Sequence, residues 1–199
     1  MTNKKLLAVA TIALVISTTS AFAKTEGNYA GVNAIRSDSS NQYKVVGFDV
    51  GNDFDDKAIG FGADYRHAFN LNNFFIAPGV FAEKNGTESK DLDGDTVSID
   101  YRYGLKADIG YDINDDFSVY FTNGFSRTKY TVDWKSVDSK KSDTASGYFY
   151  GAGVSYAINK DVAINLEYNT QMIELDTPAN TIKVDSQLSV IKLGASYHF

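Results

Sequence analysis

Apolar and polar residues alternate along much of this chain with a period of two. The clearest stretch is Val97–Tyr111, where Val97, Ile99, Tyr101, Tyr103, Leu105, Ala107, Ile109 and Tyr111 are apolar or aromatic and Ser98, Asp100, Arg102, Gly104, Lys106, Asp108 and Gly110 lie between them. At 43% hydrophobic composition, eight hits in a row arise by chance roughly once in a thousand trials. A helix would mix the two sets on one face, so the pattern predicts a strand, and one longer than globular proteins usually use. The same period recurs at Ile59–Arg66, Tyr148–Tyr156, Val162–Asn169 and Leu188–Phe199, with weaker segments near Tyr29–Ile35, Phe75–Phe81 and Phe117–Phe125 whose faces the pattern leaves open. That makes eight strands.

The segments between the strands alternate as well. Three connections are short and alike: Leu71-Asn72-Asn73-Phe74-Phe75, Ile113-Asn114-Asp115-Asp116-Phe117 and Ile158-Asn159-Lys160-Asp161-Val162, spaced 42 and 45 residues apart. Asn and Asp suit such turns because they tolerate left-handed φ and cap their own backbone. The other four, Ser37–Asp56, Lys84–Thr96, Lys129–Gly147 and Ile173–Asp185, read as long polar loops. Pro78, inside a strand segment, is expected to mark a bulge, while Pro178 falls in a loop. Short turns at one end and long loops at the other are the signature of an outer-membrane barrel.

The chain start supports export. Lys4 and Lys5 precede the apolar run Leu6–Ile16, which is too short to span a bilayer, and Ala21-Phe22-Ala23 offers a small-x-small cleavage site. The expected organisation is a signal peptide over residues 1–23 and a single barrel domain over 24–199. Loss of Lys4 and Lys5 takes the formal charge from −6 to −8, which argues against nucleic acid as a partner. With no Cys there is no disulfide framework, so strand pairing and packing must carry the stability.

Within a bilayer every backbone N–H and C=O needs a partner, so strands span only as a closed barrel. The expected fold is all-β: an eight-stranded antiparallel up-and-down transmembrane β-barrel. A secreted, lipocalin-like barrel would show the same alternation in shorter strands. Aromatics fall where interfacial girdles belong: Phe69, Phe75, Tyr111, Phe117, Tyr156, Tyr197 and Phe199 beside the short turns, Tyr101, Phe125 and Tyr148 towards the loops. The polar set then faces the lumen and includes Asp64, Arg66, Asp100, Arg102, Lys106, Asp108, Glu167 and Lys192. An eight-stranded barrel is only wide enough for side chains to fill, and charges buried there must pair. Glu167 and Lys192 should face each other across their hairpin. Such a network is either a plug that stiffens the barrel or a polar gate.

The loops hold little catalytic chemistry. Asp91-Leu92-Asp93-Gly94-Asp95 is similar to a calcium loop but lacks a third ligand before the Gly and a distal Glu, so no metal is expected. The two His, His67 and His198, both lie at the short-turn end, and without Cys or a loop His no triad has a base. The pair Asp53 and Asp55 reads as solvated carboxylates. Tyr43, Phe48, Tyr130 and Trp134, aromatics among loop charges, are the candidate partner contacts. No cofactor is expected.

With these features together, the chain resembles the small outer-membrane β-barrel family of opacity proteins, OmpX-like proteins and the OmpA transmembrane domain. The resemblance rests on the leader, the eight strands, the Ile-Asn-x-Asp turns and the terminal Leu193-Gly194-Ala195-Ser196-Tyr197-His198-Phe199. It implies contact with outer-membrane lipid and insertion by the barrel-assembly machinery, with Leu193, Tyr197 and Phe199 as the assembly signal. The expected role is a surface protein, not an enzyme, whose loops adhere to host surface or matrix proteins. The alternative is a narrow low-conductance porin.

Overall fold

The computed structural model describes residues 26–45, 48–49, 54–90, 96–134, 138–176 and 182–199. The expected leader, the Asp91–Asp95 segment, Asp53 and Pro178 lie outside the described residues, as do the side chains of Tyr43, Phe48, Asp55 and Trp134.

Among the described residues nine strands form one antiparallel sheet: β1 Gly27–Val45, β2 Phe48–Asp49, β3 Phe54–Leu71, β4 Phe74–Lys90, β5 Thr96–Asp112, β6 Phe117–Trp134, β7 Ser139–Ala157, β8 Val162–Asp176 and β9 Ile182–His198. Strand β2 is a two-residue addition folded back on the end of β1. The other eight are the wall. Each pairs with its neighbour, and β9 closes on β1 from Tyr29–His198 up to Val45–Ile182. This is an eight-stranded antiparallel up-and-down barrel.

The three tight turns all lie at one end. Asn72 takes the left-handed φ of 61° that its two-residue turn requires. Asn114 and Asn159 do the same work in the longer turns: each Oδ1 accepts from the backbone N–H two and three residues on, at 2.8–3.0 Å. At the opposite end the expected long loops are mostly strand. Connections shrink to residues 46–53, 91–95, 135–138 and 177–181, because polar strands can pair in water as readily as apolar ones do in lipid.

From Tyr111 to Tyr101 the outward side chains of β5 are apolar or aromatic throughout. At about 3.3 Å per residue and a tilt near 40°, that stretch is about 25 Å tall, the height of an outer-membrane hydrocarbon band. Phe61, Leu105, Phe125 and Leu193 are each more than half exposed within this band. That is the exposure of a wall built for lipid. No helix of the described residues is long and apolar enough to cross a membrane; strands are the crossing elements.

Just above the band the ladder changes. The β4–β5 register shifts between Lys84 and Thr87, and the β5–β6 register between Ile99 and Tyr101. Asp100 is the extra residue on β5, and Gly86, at φ 68°, accommodates the irregularity on β4. The bulge expected at Pro78 is absent: β3 and β4 keep one register on either side of it, and Pro78 is left out of that ladder while pairing with Ala107 of β5. A ring nitrogen with no hydrogen can sit on that side of the strand without a shift.

Above the bulge the wall divides. The β3–β4 ladder ends at Phe61–Lys84 and the β7–β8 ladder at Phe149–Gln171. The other ladders continue, so the upper strands form two sheets, β8-β9-β1-β3 and β4-β5-β6-β7. Ile35, Ile99, Leu188 and Val190 pack between them, followed by Val97, Tyr130, Val132 and Ile173. The result is a small face-to-face sandwich standing on a barrel.

Candidate functional site

The lumen is the one place where the described residues gather charge out of water. Inward positions alternate along every strand, and at mid-height they carry Arg66 on β3, Glu83 on β4, Arg102, Lys106 and Asp108 on β5, Glu167 on β8 and Lys192 on β9. These seven form one chain of alternating sign. Arg66 reaches Asp108 at 3.1 Å, Asp108 meets Lys106 at 3.2 Å, and Lys106 meets Glu167 at 3.1 Å. Glu167 and Lys192 are register partners with their charges 3.0 Å apart. Lys192 also contacts Glu83, whose Oε2 accepts from Arg102 Nη2 at 2.8 Å. Asp64, held by Asn33 Nδ2 at 2.8 Å, faces the same space and balances the fourth cation.

Arg102 shows how completely such a charge is enclosed. Its guanidinium is fully buried, donates to Glu83, Asn169 and Gln171, and lies 5.2 Å from the ring centres of both Phe81 and Phe149. Asn169 in turn donates to Glu167, and Tyr120 closes the lower side with a 3.3 Å hydrogen bond to the same carboxylate. Burying charges is unfavourable unless the geometry satisfies them, and here each of the seven has at least one partner of opposite sign.

Apolar layers close both ends. Tyr29, Ala68, Phe75, Ala77 and Tyr120 fill the turn end, and the sandwich core described above fills the other. Between these groups the lumen retains gaps of about 20 Å³ near Tyr29 and Phe75 and about 10 Å³ beside Asp64 and Lys106. Gaps of that size hold about one water each.

Several placements differ from the sequence reading. Asp100 does not join the lumen network: as the bulge residue it is half-exposed and makes no ion pair, and the bulge turns Val97 and Ile99 inward. Val97–Tyr111 is therefore not one lipid-facing series. Phe75 belongs to the inner turn-end cluster, and its neighbour Phe74 takes the outward position, edge-on to Tyr111 at 5.0 Å. Tyr130, expected as a loop contact, is 2% exposed and part of the sandwich core. Tyr43 and Phe48 lie on β1 and β2, and Trp134 ends β6. Glu83 was missed, because β4 is apolar on both faces below it and gives no parity signal. The inward series Phe75, Ala77, Gly79, Phe81, Glu83 becomes visible only once the register is known.

The terminal residues sit at the turn-end interface. Leu193, Tyr197 and Phe199 point outward and are each more than half exposed; Phe199 stacks on Tyr197 at 6.4 Å and donates its backbone N–H to Asn28 O at 3.0 Å. His67 and His198 stand at the same end, the first bonded to Asn28 at 2.9 Å and the second against Tyr29 at 4.7 Å. Among the described residues there is no group of His, Cys, Asp or Glu arranged to hold a metal.

Comparison with known proteins agrees with this geometry. A family model described as the outer membrane protein beta-barrel domain matches residues 8–199. Outer membrane protein A of Escherichia coli O157:H7 is 35% identical over 96 residues, 48% of this chain and 27% of that protein, so the match spans about a quarter of that relative's length. Two solved structures share the fold. OprG of Pseudomonas aeruginosa has a TM-score of 0.55 at 13% identity, covering 90% of this chain and 99% of that one. Neisserial surface protein A has a TM-score of 0.52 at 20% identity, covering 87% and 97%.

Proposed function

The chain belongs to the outer membrane protein β-barrel family, and from that premise we propose that it is a non-catalytic surface scaffold whose loop-side hairpins bind host surface or matrix proteins. The observation that carries this reading is the division of the wall above the bulge. There β7 residues Ser139–Tyr148 pair with β6 alone, so one edge of that sheet offers its backbone N–H and C=O groups to an incoming extended segment. Trp134, at the outer end of β6 in the same hairpin, and Tyr43 and Phe48, on β1 and β2 of the other sheet, are the candidate aromatic positions of the loop-side surface.

The filled lumen favours this role over a pore. Among the described residues, a seven-charge chain fills the mid-height of the lumen and apolar layers stand on both sides of it. Two measurements on the folded full chain test the proposal together. Planar bilayers should show no stable conductance, and immobilised matrix proteins should capture cells that display the chain but not cells displaying it with residues 127–146 replaced by an Asn-Gly turn, which joins the register partners Ser126 and Gly147. Steady ion current with unchanged capture would establish the porin alternative.

Export and insertion belong to the same proposal. Residues 1–23 act as the cleaved leader, and Leu193, Tyr197 and Phe199 are read by the barrel-assembly machinery while they still face outward on the last strand. Deletion of Phe199 should lower the folded, heat-modifiable fraction in the outer membrane several-fold. Met172→Ser, which truncates an exposed apolar residue far from the terminus without moving the register, is the comparison, and equal losses would remove the signal reading.

A further inference from the structure

The outer wall of β4, β5 and β6 carries a group of cations that the barrel itself does not use. Lys84, Tyr101 and Lys129 are consecutive register partners across the three strands, and Tyr103 and Arg127 form the next row towards the membrane. All five side chains point outward. With strands about 4.8 Å apart, the two lysine backbones stand about 10 Å from each other, within reach of one shared anion. Lys129 lies over the Tyr101 ring at 5.4 Å, which draws its ammonium towards the centre of the patch.

None of these three cations has an ion pair among the described residues. Two other outward lysines do: Lys57 has Asp38 at 3.9 Å and Lys140 has Asp133 at 3.8 Å. Asp100, in the bulge above Tyr101, pairs with none of the three. The patch also has a fixed depth. Tyr101 and Tyr103 end the apolar band, so Lys84, Arg127 and Lys129 stand at the level of lipid headgroups on the loop side.

Directly beneath and beside them the wall is hollow. Ala34, Ala63 and Ala82 are small where their neighbours Phe61, Tyr101 and Tyr103 are large, and together they frame an open groove of about 860 Å³. Its lining is almost wholly apolar, with Lys84 at its upper edge. A cationic row above an apolar trough is complementary to one kind of molecule, an anionic headgroup joined to an acyl chain.

We propose that the outer wall of β4–β6 is a binding site for a phosphate-bearing lipid of the loop-side leaflet. Lys84, Arg127 and Lys129 hold the phosphate, and one acyl chain lies in the groove framed by Phe61, Ala63, Ala82 and Tyr103. The opposite wall differs in kind: at the corresponding height β8 and β9 present Met172, Glu174, Gln187 and Asp185, with no cation among these four. The barrel therefore meets its leaflet with one lipid-gripping side.

The test uses the full chain folded in zwitterionic detergent and offered equal amounts of bis-phosphorylated lipid A and its dephosphorylated form, with retained lipid counted by mass spectrometry. The wild type should retain the phosphorylated form selectively. At about five-fold per cation, K84Q/R127Q/K129Q should weaken retention roughly hundred-fold, and K84Q alone about five-fold. These are exposed positions, and far-UV circular dichroism checks that each variant is folded. K57Q/K140Q/K160Q, which removes as many charges elsewhere, should leave retention unchanged, while A82F, which fills the groove and keeps every charge, should weaken it several-fold. Equal retention of both lipid forms by the wild type, equal losses in the two triple variants, or displacement of the lipid by millimolar inorganic phosphate would each overturn the proposal.

Discussion

The wall of this barrel has two halves that obey opposite rules. Below the level of Lys84 and Tyr101 the strands turn apolar side chains outward, such as Leu105, Phe121 and Ile164, and, beyond the apolar layer at the turn end, mostly polar or charged ones inward. Above it the same strands turn Lys57, Thr131, Ser142 and Glu174 outward and Ile35, Val132, Leu188 and Val190 inward. Hydrogen-bonded pairing is common to both halves, so pairing does not decide the composition of the faces. The medium outside does. Where lipid replaces water, the outer face needs no polar groups and the lumen can keep its charges provided they satisfy one another; where water returns, only the inner face offers burial.

The inner face of the lower half is where this comparison breaks most expensively. Glu83 is shared by Arg102 and Lys192, so Glu83→Ala leaves two buried cations short of a carboxylate. The expected loss is about 3–5 kcal/mol, read by urea unfolding in lipid vesicles with Trp134, the sole Trp, as the fluorescent probe. A loss below about 1 kcal/mol would mean that water reaches the network and screens it.

Next in size is the contrast between the two outer faces. Leu105 is 66% exposed in the middle of the apolar band, so Leu105→Arg should lose about 2–4 kcal/mol in a bilayer. Thr131 points outward above the bulge, hydrogen-bonded to Ser142 at 2.9 Å, and Thr131→Arg should change stability by about 0.5 kcal/mol or less. Equal costs at the two positions would show that the boundary between lipid and water does not lie at Tyr101.

These two halves also differ in how far the sequence reveals them. The lower half was legible wherever one face is apolar and the other is not, as in Ile164, Leu166 and Tyr168 against Asn165, Glu167 and Asn169. It was legible too at the turns, where Asn114 and Asn159 do the capping their residue type allows. It failed on β4, whose two faces are both apolar below Glu83. The upper half reads as loops in the sequence because Ser, Asp, Thr and Lys on an outer face carry no strand signal, and the inward apolar residues are too few to set a period. Asp100 misled in a different way. It fits the alternation of β5 as well as Arg102 does, and only the neighbouring strands show that it is one residue too many.

A smaller loss than those of Glu83→Ala and Leu105→Arg falls on the junction between the halves. Gly86 carries a φ of 68° opposite the Asp100 irregularity, and a Cβ built there meets no atom within 4 Å. Gly86→Ala therefore meets no steric obstacle, and its whole cost is the left-handed backbone, about 1–2 kcal/mol. Gly104 provides the control, since there a Cβ would run into the carbonyl of Phe125 and the loss should be larger. If Gly86→Ala costs nothing, β4 does not hold this conformation in the folded protein. The register shift that turns Val97 and Ile99 inward would then have to be carried by β5 alone.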